Sequence, residues 1–374
     1  MRGERSLNLF LDGMFYRCSG VGRVFENLLS AFVDCDRMKE ITIILPAFHR
    51  DAFLKQFPSP KVKPVFVPYG PMGFGDLFRK GQILRSFSGK VGLFFFPGHN
   101  IPFSVPGRYI VSVNDVTVFS PHFEASWVRK TGFRLLLSRA VRGAERVVTI
   151  SEVAKADILR KFSVPPEKVR VIYPWVKDIF FQTPPAGPAA MEGEYLLYLG
   201  LRIPHKNLDG LIQAFLGIAD QYPDLRIVIA GSRYSTPDMV DRWRENPRLK
   251  GRLVEILDPM DEQIVRLFAG AKVFVFPSFV EGFGLPPLEA MASGVPVVCS
   301  DIPVFREVYG EAVCFVDPND SNSIIDGIRR VYTDPDLAED LVVNGRRQAM
   351  RYRRDRSLEG YLDVISKACE ATSR

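Results

Sequence analysis

A chain of 374 residues, with 47% hydrophobic and 25% charged residues, is too long for one ordinary core and too apolar for a disordered protein, which predicts two globular domains. Its five scattered cysteines lack metal-ligand spacing, which argues against a disulfide framework or a zinc site. No apolar run reaches about 18 residues and no signal peptide precedes Leu7, so we expect a cytoplasmic protein without a membrane span.

The charge is divided unevenly along the chain. Residues 1–180 hold 27 Lys and Arg against 15 Asp and Glu, whereas residues 181–374 hold 22 against 28. A basic amino-terminal half predicts an anionic partner, such as a phosphate-bearing acceptor, the anionic inner face of a membrane or nucleic acid. We expect no nucleic acid, because no motif for it occurs and aromatic residues are not interleaved with the basic ones. A basic face that serves only solubility is the alternative.

Short apolar runs alternate with longer amphipathic ones, a pattern typical of parallel sheets with crossover helices. The predicted strands of the first half are Leu7–Leu11, Ile41–Leu45, Val65–Val67, Leu93–Phe96, Tyr109–Val113, Arg146–Ile150 and Val169–Ile172. Spacings of three and four residues predict a helix whose buried face is formed by Phe25, Leu28, Leu29 and Phe32. A second predicted helix runs from about Ala125 to Ala140 and carries the basic residues Arg129, Lys130, Arg134 and Arg139, with Arg142 just beyond its end.

The composition changes at 182–190, a segment rich in Pro and Ala without periodicity that predicts a linker. The predicted strands that follow are Tyr195–Leu199, Leu225–Ala230, Leu253–Leu257, Val273–Phe276, Val295–Cys299 and Val313–Val316. The last predicted helices are Pro335–Arg351 and Ser357–Ala371. We therefore expect one domain over 1–180, a linker over 181–192, a second domain over 193–354 and a terminal segment over 355–374.

The most informative motif is the run from Glu281 to Glu289, which reads Glu-Gly-Phe-Gly-Leu-Pro-Pro-Leu-Glu. It follows a predicted buried strand and leads into a helix predicted over Pro287–Ala292, so Glu281 would lie on a loop and Glu289 in the first helical turn. Ligands bind at the carboxyl ends of strands in open α/β sheets, and two carboxylates there suit a ligand rich in hydroxyl groups. The alternative for Glu289 is a favourable interaction with the helix macrodipole.

Two other loops are candidates for binding phosphate. The pair Gly20 and Gly22 at the start of the first helix would let backbone amides approach an anion, with a plain tight turn as the alternative. The loop that begins at Gly200 carries Arg202 and Lys206 between a strand and a helix, where both cations can meet a diphosphate. A solvated basic loop is the alternative there.

The Glu-x7-Glu run resembles the motif of the retaining nucleotide-sugar glycosyltransferases of family 4, whose GT-B fold has two Rossmann-like domains facing each other across a cleft. The resemblance extends from Gly20 to the last helix, which is expected to cross back to the first domain. It implies that Glu281 contacts the donor sugar and Glu289 the ribose. The spacer residues of the same donor site are Gly282, Phe283, Gly284 and Leu285.

The same resemblance implies that Arg202 and Lys206 stabilise the departing diphosphate, aided by amides near Gly20 and Gly22. Where the family commonly has His-Asp, this chain has Asn114 and Asp115. Asn114 can form hydrogen bonds but cannot titrate, so we expect no histidine base there. Asp115 would orient an acceptor hydroxyl or cap a turn.

The activity implied is metal-independent transfer of a hexose to a hydroxyl of a glycan or lipid-linked acceptor, without a cofactor. GDP-mannose is the expected donor, by similarity to bacterial mannosyltransferases, with UDP-glucose and UDP-N-acetylglucosamine as alternatives. Two rivals are a nucleotide-sugar epimerase or hydrolase of the same fold and a non-catalytic protein that binds nucleotide sugars.

Overall fold

The computed structural model describes residues 7–73, 75–98, 100–114, 116–121, 123, 126–183, 191–233 and 238–370. Asp115 and residues 184–190 of the predicted linker lie outside them. The chain divides into two compact units. The first comprises Met1–Val116, Ala125–Tyr173 and Arg354–Arg374, and the second comprises Thr117–Glu124 and Pro174–Arg353.

The first unit is built on one parallel sheet. Its strands are β1 (Leu7–Asp12), β2 (Met38–Pro46), β3 (Val62–Val67), β4 (Leu93–Phe96), β5 (Tyr109–Ser112), β6 (Arg146–Thr149) and β7 (Val169–Val171). The helices along the same stretch are α1 (Ser19–Asp34), α2 (Arg50–Gln56), α3 (Lys80–Arg85), α4 (Trp127–Gly143) and α5 (Glu152–Lys161). The strand order is β3-β2-β1-β4-β5-β6-β7.

The second unit repeats this plan. Its strands are β8 (Tyr195–Leu199), β9 (Arg226–Gly231), β10 (Leu253–Leu257), β11 (Val273–Phe276), β12 (Val297–Ser300) and β13 (Cys314–Val316). Its helices are α6 (Leu208–Ala219), α7 (Asp261–Gly270), α8 (Leu285–Ala292), α9 (Pro303–Tyr309), α10 (Ser321–Thr333) and α11 (Pro335–Ala349). The strands, all parallel, run in the order β10-β9-β8-β11-β12-β13.

All the predicted strands occur, and the apolar runs of the central strands form the cores of the two sheets. The Leu-Phe-Phe-Phe of β4 and the Val-Phe-Val-Phe of β11 are buried throughout, as strands covered on both faces require. The predicted buried face of α1 is confirmed, since Phe25, Leu28, Leu29 and Phe32 are at most 1% exposed.

The last helix, α12 (Arg354–Glu370), packs on the first unit. The ring of Tyr361 lies 6.5 Å from that of Phe32 and 5.9 Å from that of Phe95, between centroids. Ser357 donates a hydrogen bond of 2.7 Å to the carbonyl of Tyr173. The helix begins three residues before its predicted start at Ser357.

Each sheet reverses its strand order once, between β1 and β4 in the first and between β8 and β11 in the second. At such a switch the connections on either side leave in opposite directions, so a crevice opens at the carboxyl ends of the two strands. The loops after β8 and β11 carry Lys206 and Glu281, whereas Gly20 and Gly22 follow β1. Both sets of candidate residues therefore lie at a switch point of their own sheet.

Candidate functional site

The loops after β8 and β11 contact each other directly. The amide of Phe279 donates a hydrogen bond of 2.9 Å to the carbonyl of His205, which joins the two loops through their backbones. Next to this contact, Lys206 Nζ forms an ion pair with Glu281 Oε1, and Ser278 Oγ donates to the same oxygen at 2.9 Å. The side chains of Lys206 and Glu281 are 16% and 11% exposed. The structure thus pairs the predicted phosphate cation with the predicted sugar carboxylate.

Close backbone packing fixes the end of β8. Gly200 follows that strand and lies against Gly231 at the end of β9, where φ is +127°. A Cβ atom on Gly231 would collide with the carbonyl of Gly200. The loop from Gly200 then ends at Asn207, whose side chain caps α6 by accepting from the amide of Gly210 at 3.2 Å and donates to the carbonyl of Pro318 at 2.9 Å. Lys206 is therefore held by backbone and cap contacts on both sides.

The glycines after Glu281 have separate structural reasons. Gly284 is the residue before α8 and has φ of +92°, and a Cβ atom there would collide with the Tyr309 hydroxyl. That hydroxyl donates a hydrogen bond of 2.6 Å to the carbonyl of Gly284. Burial raises the pKa of Tyr309 well above its ordinary value, so the hydroxyl keeps its proton. Gly282 and Phe283 are buried, so this part of the spacer is a fixed loop.

Glu289 does not lie where the sequence placed it. The helix α8 begins at Leu285, two residues before the predicted start at Pro287, because Gly284 caps it in the left-handed conformation. Glu289 is therefore the fifth helical residue, beyond the first turn in which the macrodipole acts strongly. Its side chain is nonetheless buried, with 3% of the residue exposed. A buried carboxylate at this position is not explained by the macrodipole alternative.

Arg202 is held in a buried cluster of charges. Its Nη1 atom lies 3.1 Å from Asp238 Oδ2 and 2.5 Å from Glu255 Oε2, and Nη2 donates to the carbonyl of Ile229 at 3.3 Å. The side chain of Arg202 is fully buried. Arg244 binds both oxygens of Glu255 from the other side, at 2.5 and 2.9 Å. The structure therefore does not bring Arg202 onto the Lys206–Glu281 pair.

This cluster was not predicted from the sequence, although Glu255 is the one charged residue in the apolar run of β10. Burial alone would raise the pKa of Glu255, but the hydrogen bonds from Arg244 and Arg202 lower it to about 2. The carboxylate is thus ionised and compensates the charge of Arg202. Contact of Arg202 with a diphosphate stays a prediction, and it requires the guanidinium to share or leave these carboxylates.

In the first unit, the two glycines of the predicted phosphate turn differ in kind. A Cβ atom on Gly22 would collide with the carbonyl of Phe15, whereas one on Gly20 would meet nothing within 4 Å. Gly22 is therefore required by packing and Gly20 is not. Asn114 follows β5, and its buried Oδ1 atom has no hydrogen-bond partner within the described part of the chain. Roles for these residues at a donor stay predictions.

A buried polar cluster beside the same switch point was missed. Lys80 is fully buried, and its Nζ lies 2.6 Å from both Asp12 Oδ2 and Asp76 Oδ1 and 2.9 Å from the carbonyl of Asn100. Burial acts to lower the pKa of Lys80, but the two carboxylates outweigh it and raise that pKa above its ordinary value. The spacing of four residues between Asp76 and Lys80 was the available signal. The cluster fixes the loops after β1, β3 and β4.

Among the described residues, no group of His, Cys, Asp and Glu side chains is arranged to hold a metal ion. In the same part of the chain, no helix has the length and apolar character needed to cross a membrane.

Comparison with known proteins agrees with this architecture. Residues 18–178 match the family described as Glycosyltransferase Family 4, and residues 182–348 match Glycosyl transferases group 1. The chain belongs to the family 4 glycosyltransferases with the GT-B fold. The first matched region contains Gly20, Gly22 and Asn114, and the second contains Lys206 and the Glu-x7-Glu run.

Two relatives of this family 4 glycosyltransferase are named as bacterial mannosyltransferases. The O-antigen chain mannosyltransferase B of Escherichia coli is 26% identical over 368 residues, which cover 90% of this chain and 93% of the relative. The O-antigen chain mannosyltransferase RfbU of Salmonella typhimurium is 32% identical over 239 residues, 64% of each chain.

Solved structures share the fold at low identity. A sucrose-phosphate synthase from Thermosynechococcus elongatus aligns with a TM-score of 0.76 at 17% identity, over 98% of this chain and 100% of its own. Anabaena HepE in complex with UDP and glucose aligns with a TM-score of 0.78 at 16% identity, over 96% of this chain and 100% of its own. The predicted fold class, two Rossmann-like domains of the GT-B type, is confirmed.

Proposed function

We propose that this glycosyltransferase moves a hexose from a nucleoside diphosphate sugar to a hydroxyl of a glycan or lipid-linked acceptor, with retention at the anomeric carbon. The observation that carries the proposal is the ion pair of Lys206 with Glu281 at the switch point of the second sheet. A cation suited to phosphate lies against a carboxylate suited to sugar hydroxyls, and Glu289 is buried on the helix that follows. These are the groups that a diphosphate, a hexose and a ribose each require.

The ion pair has a consequence for the order of contacts. A diphosphate that reaches Lys206 competes with Glu281 for the ammonium group. When the phosphate takes this cation, Glu281 keeps its hydrogen bond from Ser278 and gains free lone pairs for sugar hydroxyls. The donor therefore exchanges one ion pair for another, and the exchange couples recognition of the phosphate to recognition of the sugar. Glu289 is left to bind the ribose.

In the transfer step, the bond from the anomeric carbon to the diphosphate oxygen breaks, and a bond to the acceptor oxygen forms on the same face. The acceptor proton passes to the leaving phosphate, which serves as the base. Negative charge grows on the diphosphate in the transition state, and Lys206 stabilises it electrostatically. The charge of Arg202 is compensated by Asp238 and Glu255, so we assign the larger part of this stabilisation to Lys206. The reaction as written needs no metal ion.

For the donor, we propose GDP-mannose and a place in polysaccharide biosynthesis. The support is the pair of relatives named as O-antigen mannosyltransferases. UDP-glucose is the second candidate, since a HepE structure of the same fold is described as a complex with it. A thermal-shift panel of nucleotide sugars tests this, because a donor at 100 times its dissociation constant adds about 2.7 kcal/mol of stability. A shift with UDP-glucose and none with GDP-mannose would reject the mannose assignment.

Catalysis itself is tested without an acceptor. An enzyme should release the nucleoside diphosphate slowly by hydrolysis of its donor, also in the presence of EDTA. Retention is tested separately, since proton NMR of a product formed with an acceptor should show the anomeric configuration of the donor. A protein that binds the donor in calorimetry but never releases the nucleotide would be the non-catalytic alternative. Complete loss of activity in EDTA that Mg²⁺ restores would refute metal independence.

A further inference from the structure

The outer face of α4 exposes large apolar side chains that do not pack into the core of the first unit. The helix packs inward through Leu137, Ala140 and Val141. On the outside, Trp127, Val128 and Leu135 are 78%, 71% and 68% exposed. Val128 and Leu135 are seven residues apart, so they share one face of the helix, and Trp127 adjoins Val128. Single exposed apolar residues are ordinary, but a cluster of this kind marks a surface that meets something less polar than water.

The same helix carries only one sign of charge. Within Trp127–Gly143 there are five basic residues and no acidic one. Arg129, Arg134 and Arg142 are exposed around the apolar cluster. A second copy of this chain is an unsuitable partner, because two α4 helices face to face would bring like charges together. An occupant with an apolar interior and an anionic rim fits both observations.

A second apolar pair adjoins α4. The rings of Phe78 and Phe103 lie 4.9 Å apart between centroids, and the two residues are 50% and 47% exposed. Arg139 of α4 connects them to the helix, since its guanidinium lies 5.6 Å from the Phe103 ring centroid and donates to the carbonyl of Pro102 at 3.1 Å. The surface that we call the α4 face thus comprises Phe78, Phe103, Trp127, Val128, Arg129, Arg134, Leu135 and Arg142.

The topology of the first sheet shows which end of α4 lies near the candidate residues of the first unit. Phe78 follows β3, Phe103 follows β4 and Trp127 follows β5. Since the helix of a parallel crossover runs from the carboxyl edge of the sheet back to the amino edge, the Trp127 end of α4 lies on the side of the sheet that carries Gly22 and Asn114. A partner bound at the Trp127 end of the α4 face would therefore lie on the same side of the sheet as these candidate residues.

We propose that the α4 face docks on a bilayer that contains anionic lipid. Its apolar side chains enter the interfacial region, and its arginines bind lipid phosphates, as basic amphipathic helices do on membranes. For the acceptor, this proposal rests on the proposed function and deepens it. Docking would bring a lipid-linked acceptor to the side of the first sheet at which its strands end. Trp127 is placed as the anchor, because an indole ring favours the interface between lipid and water.

Co-sedimentation with vesicles tests the proposal on the full chain. Wild-type protein should bind phosphatidylcholine vesicles that contain about one third phosphatidylglycerol, bind pure phosphatidylcholine far more weakly, and lose affinity as salt rises. Arg129→Gln with Arg134→Gln should weaken binding about 25-fold, roughly fivefold for each charge. Trp127→Ser with Leu135→Ser should weaken it at least about tenfold through lost apolar burial. Leu257→Ser with Val343→Ser is the matched control, since each residue is 50% exposed in the second unit.

Thermal unfolding midpoints identify any variant that fails to fold, and the arginine and apolar pairs give two independent arms. Equal binding to neutral and anionic vesicles, or no change in either pair relative to the control, would overturn the proposal. So would binding of single-stranded RNA in preference to vesicles, or self-association that the α4 variants abolish. Donor hydrolysis without vesicles is measured in parallel. A protein that hydrolyses the donor but does not bind lipid would reject the docking surface alone, whereas a protein that does not hydrolyse the donor would reject the proposed function.

Discussion

The ion pair of Lys206 and Glu281 makes Glu281→Gln the most informative single substitution. From the sequence alone, a residue that meets only the sugar should leave the affinity for bare nucleoside diphosphate nearly unchanged when it is replaced. The structure changes that expectation, because the carboxylate lies on Lys206 and competes with the phosphate. Removing its charge should therefore tighten binding of the bare nucleotide.

The size of this effect follows from the burial of the pair. An exposed ion pair contributes about 0.2–1 kcal/mol and a hydrogen bond to a charged group about 1.5–3 kcal/mol. The two side chains are 16% and 11% exposed, so the ion pair lies between these limits, and we assign it a free energy of about 1–2 kcal/mol. Glu281→Gln should then bind the nucleoside diphosphate about 5- to 30-fold more tightly, while transfer collapses because the sugar contacts are lost.

Isothermal calorimetry with the bare nucleotide and the intact donor measures both quantities. The double variant Glu281→Gln with Lys206→Met should not bind the nucleotide more tightly, since the two residues act through one contact. Ser278→Ala is the matched control, because it removes the hydrogen bond that Ser278 donates to Glu281 and keeps the charge of the carboxylate. Unchanged or weaker nucleotide binding in Glu281→Gln would refute the exchange of ion pairs.

The remaining predictions concern the neighbouring charges. Lys206→Ala should lower kcat by on the order of 100-fold in activity assays, with little change in stability. Arg202→Ala should lower kcat as well, and in urea titrations it should lose about 3–5 kcal/mol of stability, because Asp238 and Glu255 are left buried without their cation. Glu289→Ala should weaken bare nucleotide about tenfold or more in calorimetry if it binds ribose, and equal affinity would reject that role. Because the pKa of Glu255 is lowered from 4.5 to about 2, its ionised form stabilises the fold at neutral pH. Of the order of 1–3 kcal/mol should be lost between pH 4.5 and 2, and Glu255→Gln should flatten that slope in urea titrations.

The fold could be predicted because its signals are local. Each strand is a short apolar run, and the helix expected after the Gly200 loop is α6, whose start is fixed by the Asn207 cap and whose buried face is regularly apolar. The Glu-x7-Glu spacing likewise placed Glu281 on a loop after β11. These features depend on residues close in sequence, where periodicity and capping apply.

The site was harder to predict, because its contacts join distant parts of the chain. Lys206 and Glu281 are 75 residues apart, and Arg202 is 36 residues from Asp238 and 53 from Glu255. The sequence placed two cations in one loop but could not show that a carboxylate from a distant strand or loop compensates the charge of each. The start of α8 was also misplaced, since a left-handed Gly284 as cap depends on the Tyr309 hydroxyl beside it.

Release of nucleoside diphosphate from its sugar donor, without an acceptor, tests the central claim most directly. The wild-type protein and Lys206→Met are compared at equal concentrations with the donor that the thermal-shift panel selects. We predict slow release by the wild-type protein and a rate lower by on the order of 100-fold in the variant. Equal rates in the two proteins, or a wild-type protein that binds the donor and releases no nucleotide, would contradict the account.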